Sequence, residues 1–161
     1  MNGHPASIPP EGRHRYGLRV YYEDTDAAGI VYHASYLRFA ERARTEALRA
    51  LGIPHAELLS RFTLMFVVRR IEVDYLGPAR VDESLVVQTE VLASAGASAT
   101  LRQTVESPAG ICAVLLVKLA CVRSEGQKPS RLPPQWRALL LAMRAARPNG
   151  TPISARAPGV G

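Results

Sequence analysis

The chain has 161 residues, 47% of them hydrophobic, and a formal net charge of +6, which fits one domain with a real core. No apolar run approaches the roughly eighteen residues a membrane-spanning helix requires, and the opening MNGHPASIPPEGRHR lacks the apolar centre of a secretory signal. The charge sits at the ends: Gly17 to Ser124 carries twelve basic and twelve acidic residues, so the predicted domain has no global basic field, which argues against a nucleic-acid binder.

Residues 1–16, rich in Pro, Gly and His, read as a disordered N-terminal extension. Leu18 to Glu23 alternates and carries strand-forming residues, predicting a first strand. An acidic, small-residue segment follows, and then a helix beginning near Val31 to Ala34. Its apolar stripe runs through Tyr36, Ala40, Ala43, Ala47 and Leu51, widened by Leu37 and Leu48, with Arg38, Glu41, Arg42, Arg44 and Arg49 largely on other faces. Gly52 and Pro54 stop it. HAELLSRF is a short second helix or turn. TLMFVVRRIEVDYL, ESLVVQTEVLAS, SATLRQTVES and ICAVLLVKLACVR then read as four long strands joined by tight turns, with a bend at Pro78 and Ala79. Leu85, Val87, Thr89 and Val91 form the inner face of the third strand, and the nearly continuous apolar run Ile111 to Cys121 belongs in the centre of the sheet. A weak helical pattern spans Trp136 to Ala146, and the last fifteen residues read as a disordered basic tail. The class is α+β: one strand, a long helix, then four strands in a run, hence an antiparallel sheet covered by one helix. Such a sheet leaves apolar surface over, so self-association through its edges or faces is expected. Cys112 and Cys121, in apolar strand sequence, read as free structural thiols, in keeping with a cytoplasmic protein.

The segment YYEDTDAAGIVYHASY, Tyr21 to Tyr36, carries the chemistry. Three readings of its acids compete. Asp24 or Asp26 can cap a turn or the helix, where free N–H groups attract carboxylates. Glu23, Asp24, Asp26 and His33 can supply metal ligands, but no His-x-x-x-His, Cys-x-x-Cys or calcium-loop spacing is present. Or Asp26 can act as base or nucleophile beside Ala27, Ala28 and Gly29, which let backbone approach a ligand, while the first N–H groups of the helix hold a developing oxyanion. On spacing alone the cap reading leads.

The stretch VYYEDTDAAGIVYHASYLRFAERARTEALRALGI, together with FVVRRIEVDYLGPARVDESL, closely resembles the Tol-Pal-associated acyl-CoA thioesterases of the 4-hydroxybenzoyl-CoA thioesterase family. The resemblance runs from about Leu18 to Leu132. It implies a hotdog fold, a five-stranded antiparallel sheet wrapped around one long helix, over residues 17–132, with 133–161 as a C-terminal helix and basic tail. It implies homodimers or dimer-of-dimers tetramers with sites at the dimer interface, an acyl-CoA or acyl carrier protein substrate, and no cofactor or metal, coenzyme A being part of the substrate. Carried over by position, Asp26 is the catalytic carboxylate, His33 and Tyr22 accompany it, and the backbone N–H of His33 polarises the thioester oxygen. Gly29, Val31 and Tyr32 join the substrate site, with Tyr32, Phe39, Leu64 and Phe66 as candidates for acyl-pocket walls. The turn ASAGASATLR lacks the basic residue expected of it, leaving Lys128 and Arg131 as phosphate contacts and Arg69, Arg70 and Arg80 as alternatives. Glu41, two helical turns beyond His33, is read as solvated and ion-paired. The rival functions are a hotdog hydratase or dehydratase, and a non-catalytic envelope-associated scaffold.

Overall fold

A computed structural model of the chain describes residues 12–144; of the extension expected to be disordered over residues 1–16, residues 1–11 lie outside the described residues, as does the tail expected over the last fifteen, while His14 to Tyr16 belong to a strand. The order is strand β1 (His14–Arg19), a single 3-10 turn (Tyr22–Asp24), helix α1 (Ser35–Ala50), helix α2 (His55–Phe62), strands β2 (Leu64–Tyr75), β3 (Ser84–Ala95), β4 (Ser98–Ser107) and β5 (Gly110–Arg123), and helix α3 (Pro134–Ala142). All strand pairs are antiparallel, in the sheet order β1-β3-β4-β5-β2.

The four long strands fall where the alternation and the turn residues place them. β1 does not: it starts at His14 and ends at Arg19, while Tyr22 to Asp24 turns away from the sheet. Its pairing with Ser84 to Thr89 explains the shift, because those six partners are satisfied by His14 to Arg19. The geometric centre of the sheet is β4, and β5 lies one strand in from the β2 edge. Both faces of β5 are nonetheless apolar, with Leu115 and Val117 buried and Ile111 and Leu116 exposed.

The described residues hold three helices rather than the one expected to cover the sheet, and α2 and α3 stand where HAELLSRF and the pattern from Trp136 read as helical. α1 is the long helix and lies against β1, β3 and β4. Phe39, Ala40, Ala43 and Ala47 form its buried stripe, and the three alanines let the helix approach the sheet closely. Leu37 is partly exposed rather than part of the stripe, and Arg44, expected largely on another face, is buried. Gln103 on β4 accounts for that: its Oε1 accepts from Arg44 at 2.9 Å, and its Nε2 donates to the Ala40 carbonyl and to Thr89 Oγ1, each at 2.9 Å. α2 rests on β2 and α3 on β3. α3 belongs to the same core: Trp136 meets Phe62 edge-on at 5.2 Å, and Leu140 and Met143 are buried. Gly12 closes against the end of α3, where a Cβ would lie 2.5 Å from the Arg144 carbonyl oxygen. Both cysteines are buried and free. No helix among the described residues is long and apolar enough to cross a membrane.

Candidate active site

The acidic segment folds as a compact loop between β1 and α1, and its acids separate. Asp24 is buried; its carboxylate accepts the Tyr21 N–H at 2.8 Å, and its carbonyl accepts from Tyr32 N–H at 2.9 Å and Ser35 Oγ at 3.0 Å. It ties both ends of the loop to the start of α1. Asp26 is exposed. One carboxylate oxygen, Oδ1, accepts the Ala28 N–H at 2.8 Å, and Oδ2 has no donor among the described residues. Gly29 takes a left-handed φ of +74°, which closes the turn through Gly29 N–H to the Asp26 carbonyl at 3.0 Å. A Cβ added there would meet nothing within 4 Å, so backbone conformation, not close approach, is what this glycine supplies. The loop is stitched to the bend after β2 by Val31 N–H to the Ala79 carbonyl at 2.8 Å and a bridge between Ile30 and Arg80.

These contacts form an open groove of about 430 Å³ lined by Asp26, Ile30, Val31, His33, Tyr36 and the Tyr75–Pro78 segment. α1 starts at Ser35, so His33 stands in the turn just before it rather than inside its first turn. The Tyr32 carbonyl accepts the Ser35 N–H at 2.8 Å. In a trans peptide the N–H points opposite to the carbonyl, so the His33 N–H is directed away from the helix. It has no acceptor among the described residues. The His33 ring lies between Tyr32, centroid distance 4.4 Å, and Tyr75, 6.4 Å and edge-on. Burial, reinforced by the neighbouring Cys112 thiol, pushes the Tyr36 hydroxyl up to about 12, so it stands in the groove wall as a neutral donor.

The structure thus brings together Asp26, Val31 and His33, and adds Tyr36, Tyr75 and Pro78, which periodicity had assigned only to helix, strand and bend. Tyr75 carried one overlooked signal, an aromatic at the last position of a strand running into a proline bend. Other expected residues do not converge. Tyr22 projects into solvent, 87% exposed, and is absent from the groove wall. Tyr32 touches the groove only through His33. Phe39 and Leu64 are core residues, and Phe66 lines a separate hollow with Glu41, Arg44, Thr45 and His55. Glu41 makes no ion pair among the described residues; the helix pair is Arg49 with Glu46. Arg102 pairs with Glu90 at 3.5 Å. Lys128 and Arg131 follow β5, whose end at Arg123 lies opposite Leu64, whereas the groove lies at Tyr75 opposite Ala113. Ten residues of β5 separate the two ends, about 33 Å at ~3.3 Å per residue. Within one chain those cations are remote from Asp26, and Arg80 is the one the structure sets beside the groove loop.

Residues 20–140 match the thioesterase-like superfamily. The chain is 43% identical over 123 residues to an acyl-CoA thioesterase YbgC of Haemophilus influenzae, covering 76% of this chain and 90% of that protein. It is 42% identical over 120 residues to an acyl-CoA thioester hydrolase YbgC of Escherichia coli, covering 74% and 89%. The solved structure of a probable thioesterase from Bartonella henselae superposes with a TM-score of 0.72 at 37% identity, over 75% of this chain and 99% of that one. A 4-hydroxybenzoyl CoA thioesterase mutant solved with 4-hydroxybenzoyl CoA has the same fold, TM-score 0.74 at 17% identity, over 80% and 98% of the two chains. The family match over residues 20–140, together with relatives 42–43% identical over most of their length, places this protein in the thioesterase-like superfamily.

Proposed function

We propose that this thioester hydrolase is an acyl-CoA thioesterase whose reacting group is the Asp26 carboxylate. The observation that carries the reading is the free Oδ2 of Asp26 in the same groove as the outward His33 N–H. The Ala28 N–H fixes the carboxylate through Oδ1, leaving Oδ2 to act. As a base it takes a proton from water as the water oxygen bonds to the thioester carbon. As a nucleophile it bonds to that carbon itself, and water then resolves the anhydride. In both routes charge gathers on the carbonyl oxygen, where the His33 N–H is already oriented to receive it. Collapse breaks the C–S bond and expels the thiolate, which takes up the proton that water gives up and becomes coenzyme A; the base route yields the free acid at once, and the nucleophile route yields the anhydride, which water cleaves to the free acid and the Asp26 carboxylate.

The reading extends to a cytoplasmic homodimer formed along the β2 edge, which presents exposed Val68 and a row of unpaired backbone groups to a second copy. Antiparallel apposition there would bring one chain's Lys128 and Arg131 toward the other's Asp26. The resemblance of the Tyr21–Tyr36 segment to Tol-Pal-associated thioesterases adds that system as the physiological setting.

The test is Asp26→Asn, assayed by thiol release from acyl-CoAs of graded chain length. Asparagine keeps the oxygen that accepts from Ala28 and replaces Oδ2 with an amide donor. Turnover should be lost with the melting temperature unchanged. Retention of activity within about tenfold, only ~1.4 kcal/mol of barrier, would sink the assignment. Absence of thiol release by the unmodified protein would sink the thioesterase reading itself.

A further inference from the structure

The Tyr75 hydroxyl donates to the His33 carbonyl oxygen at 2.9 Å across 42 positions of sequence. Tyr75 is the last residue of β2, held by pairing with Ala113, and the next two amides, Leu76 and Gly77, both donate to the Cys112 carbonyl at 2.8 and 3.2 Å. The hydroxyl is therefore presented from a rigid strand end. Its ring stacks edge-on against Tyr36 at 5.7 Å and His33 at 6.4 Å.

His33 is thus constrained at both of its peptide groups. The Ser35 N–H holds the Tyr32 carbonyl, and so the peptide plane that carries the His33 N–H. Tyr75 holds the His33 carbonyl, and so the following peptide plane. With both planes fixed, the backbone at His33 has little freedom left, and the exposed imidazole has Tyr32 and Tyr75 as its ring neighbours. Tyr75 is 49% exposed, so burial does not demand that its hydroxyl find a protein partner. We infer that Tyr75 is a positioning residue, which fixes the His33 backbone so that the helix entrance is ordered before an acyl group arrives. The inference rests on the thioesterase reading for its catalytic consequence but not for its structural one.

Tyr75→Phe keeps the ring and removes the donor. Two measurements are made on it: thiol-release kinetics with an acyl-CoA, and 15N amide order parameters at His33 and Ala34. Order parameters at these two amides should fall from about 0.85, the value of rigid backbone, toward about 0.6, while those in β3 and β4 and the melting temperature stay at wild-type values. kcat should fall about tenfold with KM within about twofold, as expected when donor geometry rather than uniform binding is lost. Unchanged order parameters at His33 and Ala34 overturn the positioning role, whatever the kinetics. Lowered order parameters with unchanged kcat overturn its catalytic relevance. If the wild-type protein releases no thiol at all, the thioesterase reading fails separately, and the order parameters alone then decide whether Tyr75 holds His33.

Discussion

The Asp24 carboxylate accepts the Tyr21 N–H at 2.8 Å, so the chain leaves β1 and enters the site loop through one buried acid. Asp26, two residues on, uses only one oxygen for its own turn. Their substitutions should therefore diverge. Asp24→Ala strands the Tyr21 N–H and should cost about 1–3 kcal/mol, seen as a lower urea midpoint at unchanged slope. Asp26→Asn should leave the midpoint within about 0.5 kcal/mol, the range of a surface change, while turnover is lost. Equal stability losses in the two variants would refute this division.

Arg44 and Gln103 form a buried polar pair between α1 and β4. Burial lowers the guanidinium's affinity for its proton, partly offset by Glu41, and Arg44 makes no salt bridge among the described residues. Gln103 is oriented by its own donations to Ala40 and Thr89, which turn its oxygen toward the cation. Gln103→Leu removes that oxygen and should destabilise by about 3 kcal/mol, the scale of an uncompensated buried charge. Adding Arg44→Met should recover part of the loss, since removing both polar partners is milder than removing one. Strict additivity in chemical denaturation would exclude coupling between them.

Much of this architecture is legible in the sequence. The four long strands follow from alternation and turn residues, and the α1 stripe from its small apolar residues at helical spacing. Arg44 stands four residues after Ala40 and three before Ala47, so helical spacing puts it on the buried stripe; its charge argues for another face, and the sequence does not show the glutamine at residue 103 that accepts from it. The bounds of β1 escape local reading because its register is set by its partner β3, not by its own β propensity. At the site, the local pattern offers Asp26, Gly29 and His33 only as one of three readings, behind a cap, and the resemblance puts them first; the glycine stands there for its left-handed backbone rather than for close approach. Tyr75 shows in the sequence only as an aromatic at a strand end before a proline bend, and what it meets does not, because its role depends on a contact between a strand end and a helix entrance far apart in the chain. Tyr22 and the distant Lys128 and Arg131 came from positional resemblance, and one chain alone does not bring them to the groove.

His14 is fully buried on β1 opposite Thr89, and neither ring nitrogen has a partner among the described residues. Burial holds its pKa below the ordinary 6.5, with Glu46 pulling weakly the other way. Above that pH the imidazole is neutral in both states and adds no pH dependence. Below it the unfolded chain binds a proton that the folded chain refuses, so stability falls as pH drops toward the folded-state pKa. The slope from this group is at most about 1.4 kcal/mol per pH unit. His14→Leu should flatten the decline between pH 6.5 and 5 in urea titrations. An unchanged profile would show that His14 is not its source.

The separation of Lys128 and Arg131 from Asp26 gives the dimer proposal a direct test. Both cations follow the end of β5 beside Leu64, while the groove sits at Tyr75, the far end of β2. If each site takes Asp26 from one chain and these cations from the other, two differently damaged chains should rescue each other. An Asp26→Asn chain and a Lys128→Ala/Arg131→Ala chain are denatured together, refolded and assayed at low acyl-CoA concentration. Random pairing makes about half of the dimers mixed, and each mixed dimer holds one undamaged site and one doubly damaged site. Activity should then rise to about a quarter of wild type, above the mean of the two parents. Were all contacts made within one chain, mixing would only average the parents. Rescue would place the substrate across two protomers; simple averaging would remove Lys128 and Arg131 from the partner's site and return the phosphate contact to a nearer cation, with Arg80 the first to substitute.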